Sequence, residues 1–553
     1  MHRKRKCSDA RLLPPLRPDA VQRVFASAGG NCLLNRNLLC SALCCCLLTF
    51  ATPLFAQHED TSKSAAAKPA AEKKTEAQPP PEAPPVQTHH TLHVNGQTLN
   101  YTATAGMMPL KNDKGETEAN IFFMAYTLDQ PAGQHNKRPL MFAFNGGPGS
   151  ASVWLHLGAI GPRTVHMQQP DGTMPAPPYQ VEDNENTWLT QTDLVFIDPV
   201  GTGYSRVTKP ELLKQYLGLK GDTAAVGKFI RMYLDRYERW NSPLFLVGES
   251  YGTTRASALS GYMLQKYGVA FNGIVLMSTV LNFETLEFAK GNDLPYILFL
   301  PSYTATAWYH KKLDASLQGD LQSALRQSEA FADGPYADAL AKGDRLSAAD
   351  RTSVIAGLAK FTGLSTHYIE LSNLRVDEPH FTKELLRDEH LNVGRLDSRY
   401  TGYEPSLVDA ESESDPTMSI ISPPFSASFH QYVRTELGYK TDEDYYLLGG
   451  GFSQARDWDW GSAAEGFPNV TESLRHAFAA NPYMRVYVAS GYFDLATPYF
   501  ATEYTLAHLG LEPSEVGRIS TGFYDAGHMM YLKPSAQKKL HDDVAAFIAA
   551  SLH

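Results

Sequence analysis

The chain has 553 residues, a formal net charge of −10, 43% hydrophobic and 20% charged residues, a balance that fits a globular protein with a sizeable core. Its six cysteines (Cys7, Cys32, Cys40, Cys44, Cys45, Cys46) all fall in the first 46 residues, which excludes a disulfide framework, a thiolate metal site or a cysteine nucleophile in the rest. Residues 1–56 carry eight Lys/Arg and two Asp/Glu, so the remainder stands at −16 and is a poor partner for nucleic acid.

In chain order, a basic stretch leads into residues 37–56 (NLLCSALCCCLLTFATPLFA), which read as the apolar core and cleavage region of a secretory signal peptide. Pro53 and the short apolar run argue against a lasting membrane span, so a periplasmic or secreted bacterial protein is expected. Residues 57–89, rich in Ala, Pro, Lys and Glu, lack the apolar content to offset ordering entropy and are expected to form a disordered tether. His89 and His90 are expected in loop.

Short continuous apolar runs at 139–144, 193–197, 244–247 and 274–277 suit strands buried on both faces of a parallel sheet. Between them Val226, Phe229, Ile230, Tyr233, Leu234 and Tyr237 keep helical spacing, with Asp222 expected as N-cap. A strand at 485–489 and a terminal helix starting at Ser535, with Leu540, Val544, Phe547 and Ile548 on one face, close the alternation. The expectation is an α/β-hydrolase fold, divided into a first part at 90–283, a largely helical cap insertion at 284–480 and a second part at 481–553. Within the insertion, 317–342 reads as helix-like, and 303–309 and 425–432 read as aromatic loops.

Gly248-Glu249-Ser250-Tyr251-Gly252 lies between a strand and a helix-like stretch, which is the setting of a nucleophile elbow. The turn lifts the Ser250 hydroxyl above the sheet, at the positive end of the following helix. A serine hydroxyl is a weak nucleophile until a histidine takes its proton and a carboxylate holds that histidine. In this fold the chain order is Ser, acid, His. Asp494, after the strand at 485–489, and His528, before the last helix, fill that order.

These residues carry a resemblance. Asn145-Gly146-Gly147-Pro148-Gly149 resembles the glycine loop of the serine carboxypeptidases (peptidase family S10). Asn186-Thr187-Trp188 with 198–205, the elbow 248–252, 491–494, and Gly527-His528-Met529 with Pro534 resemble the further blocks, in order, across residues 91–553. The resemblance implies Ser250 as nucleophile, His528 as general base and acid, and Asp494 as its orienting carboxylate. It implies the amides of Gly147 and Tyr251 as oxyanion hole, Gly146 as a substrate-binding residue whose bare backbone lets the substrate carbonyl come close, and Asn145 and Glu249 as the groups that meet the peptide's free C-terminal carboxylate. A protonated Glu249 donates to that carboxylate, whereas an ionised one repels it, so activity should weaken as Glu249 ionises.

The chain departs from the family where many members carry a second glutamate two residues before Gly161-Pro162. Here that residue is Ala159, and Thr253-Thr254-Arg255 replaces the usual sequence after the elbow. The expected function is an exported serine carboxypeptidase acting on peptides with a free C-terminus. The alternative is an esterase or acyltransferase using the same triad, and a non-catalytic hydrolase-fold binding protein is the third reading. With no H-E-x-x-H or similar spacing, neither metal nor cofactor is expected.

Overall fold

The computed structural model describes residues 83–131, 137–167, 174–449, 452, 457–460 and 466–553. Contacts divide the chain into Met1–Gln78, which lies outside the described residues, and Pro79–His553. The expected signal peptide at 1–56, and the tether up to residue 82, therefore fall outside the described part.

Apolar continuity at the expected strand positions produces the expected sheet. Its strands are β1 (Val86–Val94), β2 (Gln97–Lys111), β3 (Thr117–Leu128), β4 (Leu140–Phe144), β5 (Asp193–Ile197), β6 (Leu244–Ser250), β7 (Gly273–Thr279), β8 (Arg485–Gly491) and β9 (Ile519–Tyr524). They lie in the order β1-β2-β3-β5-β4-β6-β7-β8-β9. The pairs from β5 to β9 are parallel, and β1, β2 and β3 add an antiparallel edge. Such a mostly parallel sheet needs cover on both faces. Helices α1 (Leu219–Arg236) and α2 (Tyr251–Tyr267) cover one, where Phe229, Ile230, Leu259 and Met263 join Phe142 and Leu246 in one core. Phe547 and Ile548 of the terminal helix join Phe245 and Val275 on the other. This strand order, with its crossover between β4 and β5, is an α/β-hydrolase sheet.

The structure corrects several local expectations. The tether does not reach residue 89, because Val86 to His89 already pair with β2. His89 and His90 are thus strand residues, not loop. The cause is a hairpin at Asn95-Gly96, both at positive φ (49° and 75°), a turn signal strong enough to commit the flanking residues to pairing. The aromatic segment 303–309 belongs to helix α3 (Leu294–Tyr309), which is buried nearly all round. The segment 425–432 belongs to helix α4 (Pro416–Thr435), where Phe425, Phe429 and Tyr432 keep the i, i+4, i+7 spacing of a helix face. Asp222 is no N-cap. Helix α1 begins at Leu219, and Asp222 is buried in its first turn against Arg255. The terminal helix, Pro534–Ala550, starts one residue before Ser535 because proline suits the first helical position.

The insertion between β7 and β8 is helical but not one body. Helix α3 and the helices as far as 384 share a separate core around Phe299, Tyr303, Leu358 and Phe381. Helix α4 instead packs Phe425 and Phe429 into the core on one sheet face, with Trp154 and Phe196. Helix α5 (Thr471–Ala480) packs Leu474 and Phe478 into the core on the other face. The cap expected to run to residue 480 therefore ends before α5, which is a cover helix of the sheet.

Candidate active site

Ser250 ends β6, and α2 starts at Tyr251, so the serine sits at the N-terminal end of a helix of 17 residues. Its φ of 60° is the left-handed backbone of a sharp elbow, unusual for a residue with a side chain. The turn tolerates that only because nothing projects from its flanks. A Cβ on Gly248 would stand 2.1 Å from the Gly252 carbonyl oxygen. The neighbouring loop is fitted the same way, since a Cβ on Gly146 would stand 2.4 Å from the Tyr251 amide nitrogen. The backbone after β4 thus lies directly on the elbow. Gly147 follows with φ 99°.

The loop is also held from below. The Arg255 guanidinium donates to the Asn145 carbonyl at 2.6 Å and to the Asp222 carboxylate at 2.7 Å, and both charged side chains are buried. Asp198, at the end of β5, accepts from the Ser152 amide at 2.8 Å. This contact ties the sequence blocks at 145–152 and 198–205 to each other.

The candidate acid and base occupy the ends of the next two strands. Asp494 lies just past β8 and His528 just past β9, and His528 Nδ1 stands 2.8 Å from Asp494 Oδ2. The carboxylate is fully satisfied. Its Oδ1 accepts from the amides of Ala496 (2.8 Å) and Thr497 (2.9 Å), and its Oδ2 accepts from the Thr497 hydroxyl at 2.7 Å. Burial opposes its charge, but the His528 charge and these hydrogen bonds hold the Asp494 pKa below the ordinary carboxylate value. Burial presses His528 down, yet Asp494 and Glu249 together lift its pKa above the usual histidine value.

Asn145 Nδ2 donates to Glu249 Oε1 at 2.9 Å, so these two expected carboxylate-binding residues form one unit. Burial pushes Glu249 up to about 7, against the His528 charge and the hydrogen bond from Asn145. Glu249 is therefore largely protonated below neutrality. Asn145, Gly146, Gly147, Glu249, Ser250 and His528 all line one cleft of about 300 Å³. Tyr251, the other expected oxyanion donor, is 2% exposed and packs its ring on Trp458. Ala159 lies in the buried turn Leu155–Ile160, beside Gly158, whose Cα faces the Tyr531 ring. Asn184 holds that turn by donating to the carbonyls of Ala159 (3.0 Å) and Gly161 (2.8 Å).

Sequence reasoning missed one group entirely. Leu391–Val393 and Thr401–Tyr403 of the insertion form an antiparallel ribbon. The turn between them grips the histidine loop. Leu396 carbonyl accepts from the His528 amide at 2.7 Å, and Asp397 Oδ2 accepts from the Gly527 amide at 3.2 Å. Arg399 holds Asp397 through two hydrogen bonds of 2.8 and 2.6 Å. From the other side the Ser278 hydroxyl donates to the His528 carbonyl at 2.6 Å. No spacing rule connects these residues to a histidine so far away in the chain. Ser278 alone left a trace, as a polar residue ending an apolar strand. Among the described residues, no group of three or more His, Cys, Asp or Glu side chains could hold a metal ion, and no helix is long and apolar enough to cross a membrane.

The family model for serine carboxypeptidases matches residues 94–362. Curated relatives include serine carboxypeptidase S10 family member 1 of Dictyostelium discoideum, 25% identical over 39% of this chain and 46% of that protein. Serine carboxypeptidase-like 51 of Arabidopsis thaliana is 28% identical over 29% of this chain and 33% of that protein. A pheromone-processing carboxypeptidase of Saccharomyces cerevisiae is 32% identical over 27% of this chain and 20% of that protein. The matched part of the chain thus spans less than half the length of these relatives. Among solved structures, a carboxyl esterase from Bacillus coagulans overlaps 81% of this chain and 99% of its own at 12% identity, with a TM-score of 0.34. An epoxide hydrolase from Bombyx mori overlaps 82% and 76% at 13% identity, with a TM-score of 0.28. At those scores the fold rests on the sheet order described above. Residues 94–362 are thus similar to the serine carboxypeptidase family.

Proposed function

We propose that the protein is an exported serine carboxypeptidase that removes C-terminal residues from peptides through an acyl-enzyme on Ser250. The observation that carries this reading is the shared cleft lined by Ser250, by His528 with the buried Asp494 hydrogen-bonded to its far nitrogen, and by the Asn145–Glu249 pair. His528 takes the Ser250 proton as the hydroxyl attacks the last peptide carbonyl, and returns it to the leaving amine. Water then repeats the cycle on the ester. The Gly147 and Tyr251 amides receive the developing oxyanion, where removal of one donor costs about 3–4 kcal/mol of transition-state stabilisation. Asn145 and protonated Glu249 receive the substrate's free carboxylate, and Gly146 lets the loop backbone come close to the substrate. The insertion forms a cap beside the cleft, and residues 37–56 direct export.

A second reading, esterase or acyltransferase, is favoured by Ala159, because a buried methyl stands where many members of the family carry a carboxyl group. An N-blocked dipeptide and its C-terminal amide, compared from about pH 4 to 8 with wild type and Ser250→Ala, separate the two. Cleavage of the free acid alone, lost in the variant, is expected. Equal cleavage of acid and amide, or action on simple esters only, overturns the carboxypeptidase reading. Labelling of Ser250 by a fluorophosphonate excludes a non-catalytic binding protein.

A further inference from the structure

The turn that grips the histidine loop also places a cation in the cleft. Arg395 lines the same cleft as Ser250, Glu249 and His528, and its side chain is 52% exposed. The backbone on both sides of it is committed. Arg395 carbonyl accepts from the Leu495 amide at 3.0 Å, next to Asp494, and the following carbonyl holds the His528 amide. The guanidinium is therefore carried on backbone tied to the acid and to the base.

We infer that Arg395 selects the side chain of the released residue, and that the preferred substrates are peptides ending in glutamate or aspartate. This rests on the carboxypeptidase reading. His528 gives its proton to the leaving amine, so the released residue lies on the histidine side of the scissile bond. Arg395, Leu396 and Met529 flank His528 on the cleft wall. A released glutamate carries two carboxylates. Its α-carboxylate meets Asn145 and Glu249, and its side-chain carboxylate reaches the guanidinium, whose planar fork suits that group.

The other charges facing Arg395 leave it available. Glu378 reaches its Nε at 3.3 Å, and burial pushes that carboxyl up to about 7, so it is largely neutral in acid. Asp415 shares the cleft, but its oxygens accept from the amides of Thr417 (2.9 Å) and Leu396 (3.2 Å). Glu287 also faces Arg395 but is an exposed residue, and desolvation raises its pKa against the pull of the guanidinium. His528, on the near side, is paired with Asp494.

The test is kcat/KM for N-blocked dipeptides ending in Glu, Gln or Lys, with wild type, Arg395→Gln and Arg395→Glu. Wild type should favour Glu over Gln roughly tenfold to a hundredfold, the range of one charged hydrogen-bonded contact. Arg395→Gln should bring that ratio near one, and Arg395→Glu should shift preference to Lys. A general loss of packing lowers all three rates and leaves the ratio unchanged, and that result overturns the assignment. Hydrolysis of the Gln substrate by wild type without a preference for Glu also overturns it while leaving the carboxypeptidase reading standing, and this arm needs no variant to fold. No hydrolysis of any of the three overturns both.

Discussion

Ser250 and the loop at Asn145–Gly147 meet backbone to backbone, whereas His528 is held largely by a turn from an insertion, with Asp397 lying 130 residues before Gly527. On the nucleophile side the contacts come from adjacent strands, β4 and β6, and the fit depends on missing side chains. On the histidine side they come from Leu396, Asp397 and Ser278, through hydrogen bonds that each involve a specific acceptor or donor. The first kind of support fails by steric intrusion. The second fails by losing a partner and leaving a buried polar group unpaired.

The comparison can be broken most sharply at the chemistry that both sides share. Ser250→Ala or Asp494→Asn should each lower kcat/KM for a blocked dipeptide by about 10⁴-fold or more, with the melting temperature little changed for the serine variant. Next comes the histidine side's main anchor. Asp397→Ala leaves the buried Arg399 unpaired, which costs about 3–5 kcal/mol of stability, read as a lowered denaturation midpoint. The same variant should lose activity with KM less affected than kcat, because the Gly527 amide loses its acceptor.

On the nucleophile side, Gly146→Ala forces the loop off the elbow. An overpacking cost of about 1–3 kcal/mol is expected in stability, with a larger proportional loss of activity because the oxyanion amides move. Two proton equilibria then sharpen the comparison. Glu249, raised to about 7, is neutral below that pH and ionised above it, so peptide hydrolysis should fall as pH rises through about 7. His528, raised above the usual value, must be neutral to act, so hydrolysis should also fall as pH drops. The bell-shaped kcat/KM profile should lose its alkaline limb and keep its acid limb in Glu249→Gln. A fixed alkaline limb in that variant assigns it elsewhere. The smallest effect belongs to Ser278→Ala, which removes one hydrogen bond to the His528 carbonyl and should cost about 1 kcal/mol, measured by thermal denaturation.

The sheet was legible because fully buried strands such as Leu140–Phe144 and Asp193–Ile197 are apolar without interruption. The pairing of His528 with Asp494 was legible because strand ends and chain order leave few positions from which two such side chains can meet. The β1–β2 hairpin was missed although Asn95-Gly96 announced it, because polar alternation around His89 and His90 looked like the end of a tether. Phe425, Phe429 and Tyr432 read as an aromatic loop, whereas the structure carries them in one helix that also contains Pro423 and Pro424. Asp222 looked like a cap because its partner, Arg255, is a residue that only the folded chain brings near. The turn at 394–400 was illegible for the same reason. Its hydrogen bonds run partly through main-chain atoms, which any sequence possesses.

That turn also shapes how the protein can diversify. An insertion between two strands is ordinarily free to lengthen, shrink or be exchanged, since its ends are all that the sheet requires. Here one stretch of it is part of the support of His528, the proposed general base. A chimaera that takes its insertion from a relative therefore needs a turn that presents a carbonyl to the His528 amide and a carboxylate to Gly527, whatever else it contains. Recombination points placed outside 391–403 on the insertion keep that support, and points within it sever the new binding surface from the chemistry it was meant to serve.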